Sequence, residues 1–150
     1  MAHTFSNILI HALFSTKQRR PYLDVDLRTE LFPYMGGIIT KLNGKSLLIN
    51  GPSDHVHLLL VQPAALGLAE IMEKVKANSS RWVKQRWPQR KGFAWQTGYT
   101  AFSVSQSQVE AVKTYIRDQE LHHQKRSFQE ELMALLKKHR IAYDPRFVLD

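Results

Sequence analysis

Two groupings in the chain combine residue types and spacings that can do chemistry. The first is His55-Val56-His57, at the start of "GPSDHVHLLLVQP" (51–63). That stretch reads as a strand, and alternate strand residues project from one face. The two imidazoles therefore stand close enough to share one cation. Imidazole nitrogen suits Mn, Zn, Fe and related metals, and Mg less often. The second grouping lies in "VEAVKTYIRDQELHH" (109–123). Tyr115 and Gln119 are four apart and His122 is three further on, so on a helix they share one face. That face offers further ligands and a reacting group. Each grouping also has a plainer reading. Histidines at a hairpin end, a tyrosine at a core edge and a cationic helix C-terminus at His122-His123 would look the same.

The elements that must position these groups follow from periodicity and punctuation. Residues 4 to 14 alternate well enough for a strand, and "STKQRRP" is a basic loop. Asp24 can cap a helix with Leu27, Leu31, Tyr34, Met35, Ile38 and Leu42 at helical spacing. Pro33 and Gly36-Gly37 predict a kink or a break in it, and Asn43-Gly44 ends it. "KSLLIN", the turn "GPSD" and residues 54–62 form a hairpin. Leu66 to Trp87 is a second helix, stopped by Pro88. "FAWQTGYTAFSV" is a fourth strand, interrupted near Gly98. Ser105 with Gln108, and Ser127 with Glu130, read as capping boxes opening a third helix to about His122 and a fourth striped by Phe128, Leu132, Leu135, Leu136 and His139. This order is that of the ferredoxin-like split βαβ: an α+β fold with an antiparallel sheet, helices on one face, and two C-terminal helices.

Composition limits the function classes. The chain has 150 residues, 43% hydrophobic and 23% charged, which suits one globular domain. It has no cysteine, so disulfides and thiolate metal sites are excluded and a reducing cytoplasm is the simplest compartment. No apolar run is long enough to cross a bilayer, and the N-terminus does not read as a signal peptide. Lys+Arg is 21 against 13 Asp+Glu, a net +8, and such a field favours polyanions. The basic residues cluster. Lys74, Lys76, Arg81, Lys84, Arg86, Arg90 and Lys91 fall in a segment without acids, interleaved with Trp82 and Trp87 and followed by Phe93 and Trp95. Together with Lys17, Arg19 and Arg20 of the first loop, they are candidate nucleic-acid-binding residues. Cations neutralise phosphates, and rings such as Trp82, Trp87, Trp95 or Tyr99 can stack on unpaired bases.

The motifs together carry a resemblance. "DHVHLLL", with "STKQRRP" after the first strand, "WQTGYTAFSVS" before the third helix and "YIRDQELHH" within it, resembles the single-tyrosine HUH transposases of the smallest bacterial insertion sequences. These include relatives associated with repetitive extragenic palindromes; HUH denotes His, a bulky apolar residue, His. The likeness runs from about residue 5 to residue 124 in the family's order. Asp118 stands where Asn is more usual and Gln18 where an aromatic is common. The final helix, about 127–140, matches only in type. The resemblance implies one HUH transposase domain over 1–150, with its core at about 4–124. It implies His55, His57 and Gln119 as ligands of Mg2+ or Mn2+, and Tyr115 as the nucleophile. It also implies single-stranded DNA with a hairpin as substrate and a homodimer as the assembly.

Two other functions fit parts of the chain. "KGFAW" (91–95) matches the start of a signature found in RNA-recognition modules, but the match fails from Gln96 and precedes the fourth strand instead of lying on the third. A metal-dependent nuclease using water would keep the histidines and leave Tyr115 without a role. A binding module needs no divalent ion, a hydrolase releases free ends, and a tyrosine transposase leaves DNA attached to protein.

Overall fold

The computed structural model describes residues 3–119 and 126–148. His122, His123 and the expected end of the third helix lie outside the described residues. The strands are β1 (Leu9–Ser15), β2 (Lys45–Asn50), β3 (His55–Val61) and β4 (Thr100–Val104). The helices are α1 (Val25–Lys41), α2 (Leu68–Arg86), α3 (Val109–Arg117) and α4 (Phe128–Lys138). The sheet order is β2-β3-β1-β4, with every neighbouring pair antiparallel. This is the ferredoxin-like arrangement, in which each helical crossover links two strands that flank a third.

Alternation along the two central strands sorts the core. Ile10, Ala12 and Phe14 of β1 and Val56, Leu58 and Leu60 of β3 pack with Leu27, Leu31, Met35 and Ile39 of α1 and with Ile71, Met72, Val75 and Val83 of α2. The opposite face carries Leu9, His11, Leu13, Ser15, His55, His57 and Leu59. It is covered by the C-terminal helices, through Val109 and Ile116 of α3 and Phe128, Leu132 and Leu136 of α4. Because helices lie on both faces, β1 is buried throughout and β3 almost throughout. That accounts for a near-continuous apolar run in a sheet that is antiparallel.

Local chemistry explains most boundaries. Asp24 accepts a hydrogen bond from the Leu27 N–H at 2.9 Å and caps α1. The helix runs unbroken through Pro33 and Gly36-Gly37, because five buried side chains along its length hold it to the core. After its last turn Asn43 takes a left-handed φ of 66°, a conformation Asn tolerates. Gly44 is needed for a close approach, since a Cβ there would lie 2.9 Å from the Val61 carbonyl oxygen. Ser127 and Glu130 form the expected capping box. Ser105 does not cap through its side chain. A short 3-10 turn, Gln106–Gln108, precedes α3, and the Ser105 hydroxyl pairs instead with Ser107 at 3.0 Å. The interruption before β4 is present: Trp95 bridges Thr16, and regular pairing resumes at Thr100.

Candidate metal and tyrosine site

The turn before β3 sets the position of the first histidine. Gly51 lies so close to the carbonyl of His55 that any Cβ there would overlap it. Opposite, Thr16 at the end of β1 donates its backbone N–H to the Asp54 carbonyl at 2.9 Å. Register then places Ser15 across from His55 and Leu13 across from His57, so both imidazoles enter the layer between the sheet and the C-terminal helices. Both are fully buried, as are Gln119 and Glu131.

Each imidazole is held through Nδ1 and presents Nε2. His55 Nδ1 lies 2.8 Å from Asp54 Oδ1, and His57 Nδ1 lies 2.8 Å from His11 Nε2. The two Nε2 atoms converge on one oxygen. Glu131 Oε1 is 3.3 Å from His55 Nε2 and 3.2 Å from His57 Nε2. Gln119 joins from the end of α3, its Oε1 3.2 Å from His55 Nε2 and its Nε2 donating to Glu131 Oε2 at 3.2 Å. The Tyr115 hydroxyl donates to that same Oε2 in a short hydrogen bond. The structure thus brings together His55, His57, Gln119 and Tyr115, as the resemblance implies, and adds three: Glu131, His11 and Asp54.

His55, His57 and Glu131 form a buried group that could hold a metal ion, their donor atoms all within 4.8 Å of one another. The donor set fits. Ligand atoms at about 2.0 to 2.2 Å from one ion stand about 2.8 to 3.1 Å apart in an octahedral set and about 3.3 to 3.6 Å apart in a tetrahedral one, a range that brackets the observed Nε2–Oε1 separations of 3.2 and 3.3 Å. A carboxylate with no exposed surface is also costly in a low-dielectric layer, and a cation between it and two imidazoles would offset that cost.

The electrostatics agree. Burial, then the charge of His57, pushes the His11 pKa down to about 3, so His11 is neutral. Burial opposes the charged form of His55, but hydrogen bonds to Asp54 and Glu131, and their charges, outweigh it and hold its pKa above the ordinary value. Burial, the Glu131 charge and the hydrogen bond to Glu131 all raise Tyr115, so without a cation the phenol keeps its proton.

The candidate DNA-binding residues fall in two places. Lys17, Arg19 and Arg20 are exposed in the loop after β1, pinned beside His55 because Thr16 Oγ1 donates to the carbonyls of Arg20 and Asp54 at 2.6 and 3.2 Å. Gln18 and Arg19 hold left-handed φ values of 57° and 55° there. The other set follows α2, behind the sheet. Arg81, Lys84, Arg86 and Lys91 are exposed, and Lys74 is half-buried. Arg86 meets Glu30 at 3.3 Å and Arg90 meets Asp24 at 2.8 Å. Half-buried Lys76 donates to the carbonyls of Thr97 and Gly98 at 3.0 and 2.6 Å, which fixes the segment before β4. Trp82 stacks on Tyr34, with ring centroids 4.3 Å apart, beside a cavity of about 640 Å³ that Arg81 and Lys41 also line.

Trp95 is no stacking platform. It is 8% exposed, packs edge-on against Phe14 and Phe93, and donates its indole N–H to Ser79 at 3.0 Å. Burial of Phe93 and Trp95 also removes the basis for an RNA-recognition surface at "KGFAW", and helices cover both faces of the sheet. Glu131 is hard to read from sequence because one carboxylate in a helix's first turn looks like a favourable charge at the N-terminus. Its signal is position: it sits three residues after Phe128 and next to Leu132, on the inward stripe. His11 gives a similar sign, alternating with Leu9 and Leu13.

Fold and cluster together define the class: a ferredoxin-like α+β protein with a buried His-His-Glu group that could bind a metal and a tyrosine hydroxyl resting on its carboxylate. The chain belongs to the IS200-like transposase family, whose model matches residues 4–119. Membership makes it a transposase, an enzyme of DNA recombination. Among solved structures it is similar to a "putative transposase" from Deinococcus radiodurans R1, with a TM-score of 0.65 and 22% identity over 79% of this chain and 95% of that one. It is also similar to a REP-associated tyrosine transposase bound to a REP hairpin, with a TM-score of 0.61 and 10% identity over 82% of this chain and 72% of that one. No curated protein matches it in sequence. Among the described residues, no helix is long and apolar enough to cross a membrane.

Proposed function

We propose that the protein cuts and rejoins single-stranded DNA with Tyr115 as nucleophile, through a 5′-phosphotyrosine intermediate. A divalent ion, Mg2+ or Mn2+, would be held by His55, His57 and Glu131 with Gln119 beside them. The observation that carries this reading is the shared carboxylate. Glu131 Oε1 faces both imidazole Nε2 atoms while Oε2 accepts the Tyr115 hydroxyl. One side chain therefore joins the nucleophile to the ligand set.

When bound, the ion would stabilise charge on the non-bridging oxygens of the scissile phosphate. The chain's own residues do the rest. Tyr115 Oη bonds to phosphorus as the bond to the 3′ oxygen breaks. The phenol proton passes to Glu131 Oε2, its hydrogen-bond partner, and the 3′ oxygen leaves as a hydroxyl with a proton from that carboxyl or from solvent. In the second step a 3′ hydroxyl of another strand attacks the phosphotyrosine, reforms a phosphodiester and frees Tyr115. The covalent intermediate conserves the bond energy, so no nucleotide cofactor is needed.

Of the reacting set only Tyr115 is partly exposed, so the phosphate approaches from its side. The hairpin-bound neighbour supports a folded hairpin flanked by single strand as the recognised shape. A homodimer acting on cytoplasmic DNA completes the reading, and exposed Phe5, Ile8 and Phe147 offer apolar surface that a second copy can cover. The test is incubation with Mn2+ and a labelled single strand carrying the chain's own element end, followed by denaturing electrophoresis. A label that migrates with the protein, and is lost in Tyr115→Phe, is the expected result. Free ends without adduct would favour water as nucleophile.

A further inference from the structure

His11 is a histidine that the proposed reaction does not use, yet it is 4% exposed on the same sheet face as His55 and His57. β1 pairs Leu13 with His57 and His11 with Leu59, which makes His11 the diagonal neighbour of His57. The rings are stacked, with centroids 5.0 Å apart, and His11 Nε2 meets His57 Nδ1 at 2.8 Å. On its other side, His11 lies across from Phe102 of β4 and edge-on to its ring, and it stands edge-on to Tyr115 at 6.3 Å. This packing fixes the imidazole plane. It also borders a cavity of about 350 Å³ that Ser103, Ser105, Gln108 and His139 help to line, where His11 can find a partner for its other nitrogen.

The contact has a chemical consequence. A ligating imidazole must offer a lone pair on the nitrogen facing the ion, so its proton sits on the other nitrogen. For His57 the inward atom is Nε2, which faces Glu131. Its proton then belongs on Nδ1, with His11 Nε2 at 2.8 Å to accept it. Asp54 performs the same service for His55. An aspartate beside His57 would add a second buried negative charge to a layer that already holds Glu131. A neutral imidazole accepts the proton without one.

We propose that His11 is the positioning residue for His57, accepting its Nδ1–H and so fixing Nε2 as the metal-facing atom. The inference rests on the proposed His55–His57–Glu131 site. Partners of this kind are typically worth 10- to 100-fold in metal affinity.

The test is Mn2+ titration of the full chain, followed by the electron paramagnetic resonance signal of free ion, for wild type, His11→Phe, His11→Gln and His57→Ala. His11→Phe keeps a ring in the layer and removes the acceptor, whereas His11→Gln keeps a carbonyl that can accept. Expected is a 10- to 100-fold weaker affinity in His11→Phe, partial recovery in His11→Gln, and loss in His57→Ala. Wild-type affinity in His11→Phe alongside loss in His57→Ala would overturn the role of His11 and leave the site standing. Unchanged binding in His57→Ala would instead remove the site itself, and the inference with it. A second measurement does not require a variant to fold: long-range proton–nitrogen spectra of histidine-labelled wild type loaded with Zn2+. A His57 proton on Nδ1, hydrogen-bonded to an unprotonated His11 Nε2, supports the assignment, and a His57 proton on Nε2 overturns it.

Discussion

Glu131 shows at the residue scale how one side chain can serve two requirements. A carboxylate has two oxygens, and here each faces a different partner: the imidazoles on one side, Tyr115 and Gln119 on the other. Glu131→Gln retains the volume and removes the charge. Without metal, a neutral amide should be tolerated or even stabilising, because the buried charge is gone. With metal the order should reverse. An ion that binds only the native state adds about 2.7 kcal/mol to unfolding at one hundred times its dissociation constant. We expect that gain, measured by denaturant titration with and without Mn2+, to shrink sharply in the variant. An equal gain in both proteins would place the ion elsewhere.

Helix α4 is the element on which the site depends most. It carries Glu131, stacks Phe128 on His55 with ring centroids 4.2 Å apart, and anchors itself through Leu132 and Leu136 against Leu13 and Phe102. Leu132 is 1% exposed. Leu132→Ala should therefore cost about 2 to 5 kcal/mol of the energy holding α4 down. Since α4 supplies only one side of the layer, we expect local loosening ahead of global unfolding. Hydrogen exchange should show faster amide exchange over 128–138 while β1 and β3 stay protected, together with weaker Mn2+ binding. Faster exchange throughout the sheet would mean that α4 is part of the folding core and not a cover.

Charge and shape act at the scale of the whole molecule. The cations divide between the loop beside His55 and the outer helix α2, and the two segments meet where the Lys17 N–H bonds the Ala94 carbonyl at 2.9 Å and Arg90 pairs with Asp24 at 2.8 Å, so a bound strand can follow that end of the sheet to meet both. Replacing Arg81, Lys84 and Arg86 together should lower the salt slope of hairpin binding by about 0.7 to 0.9 for every phosphate that is no longer neutralised. An unchanged slope would move the DNA to another face. Substrate form follows from burial. The ligands are sealed between sheet and helices, and only a flexible backbone can bend past Tyr115 to reach them. A duplex keeps its partner strand close by. We expect a single-stranded element end to be cleaved and its perfect duplex spared; equal cleavage of the duplex would revive a metal-dependent nuclease.

Much of this is legible in the chain itself, for a physical reason. Strand and helix periods, the Asp24 cap, the Ser127 box and the turn before His55 are local properties, and they determine element order. Tyr115 and Gln119 share a helix face by spacing, and His55 and His57 share a strand face in the same way. Spacing cannot reveal which residues meet across the sheet. His11 lies 46 residues from His57, and Glu131 lies 74 residues from it; their meeting depends on register and on α4 docking against the face opposite α1 and α2. Local rules fail where packing outweighs them. Core packing carries α1 through Pro33, and the ring of Trp95, which follows a run of basic residues, is buried against Phe14. Composition marks which residues carry charge, but only the tertiary structure decided that Lys76 ties down a loop while Lys17, Arg19 and Arg20 stand beside the site.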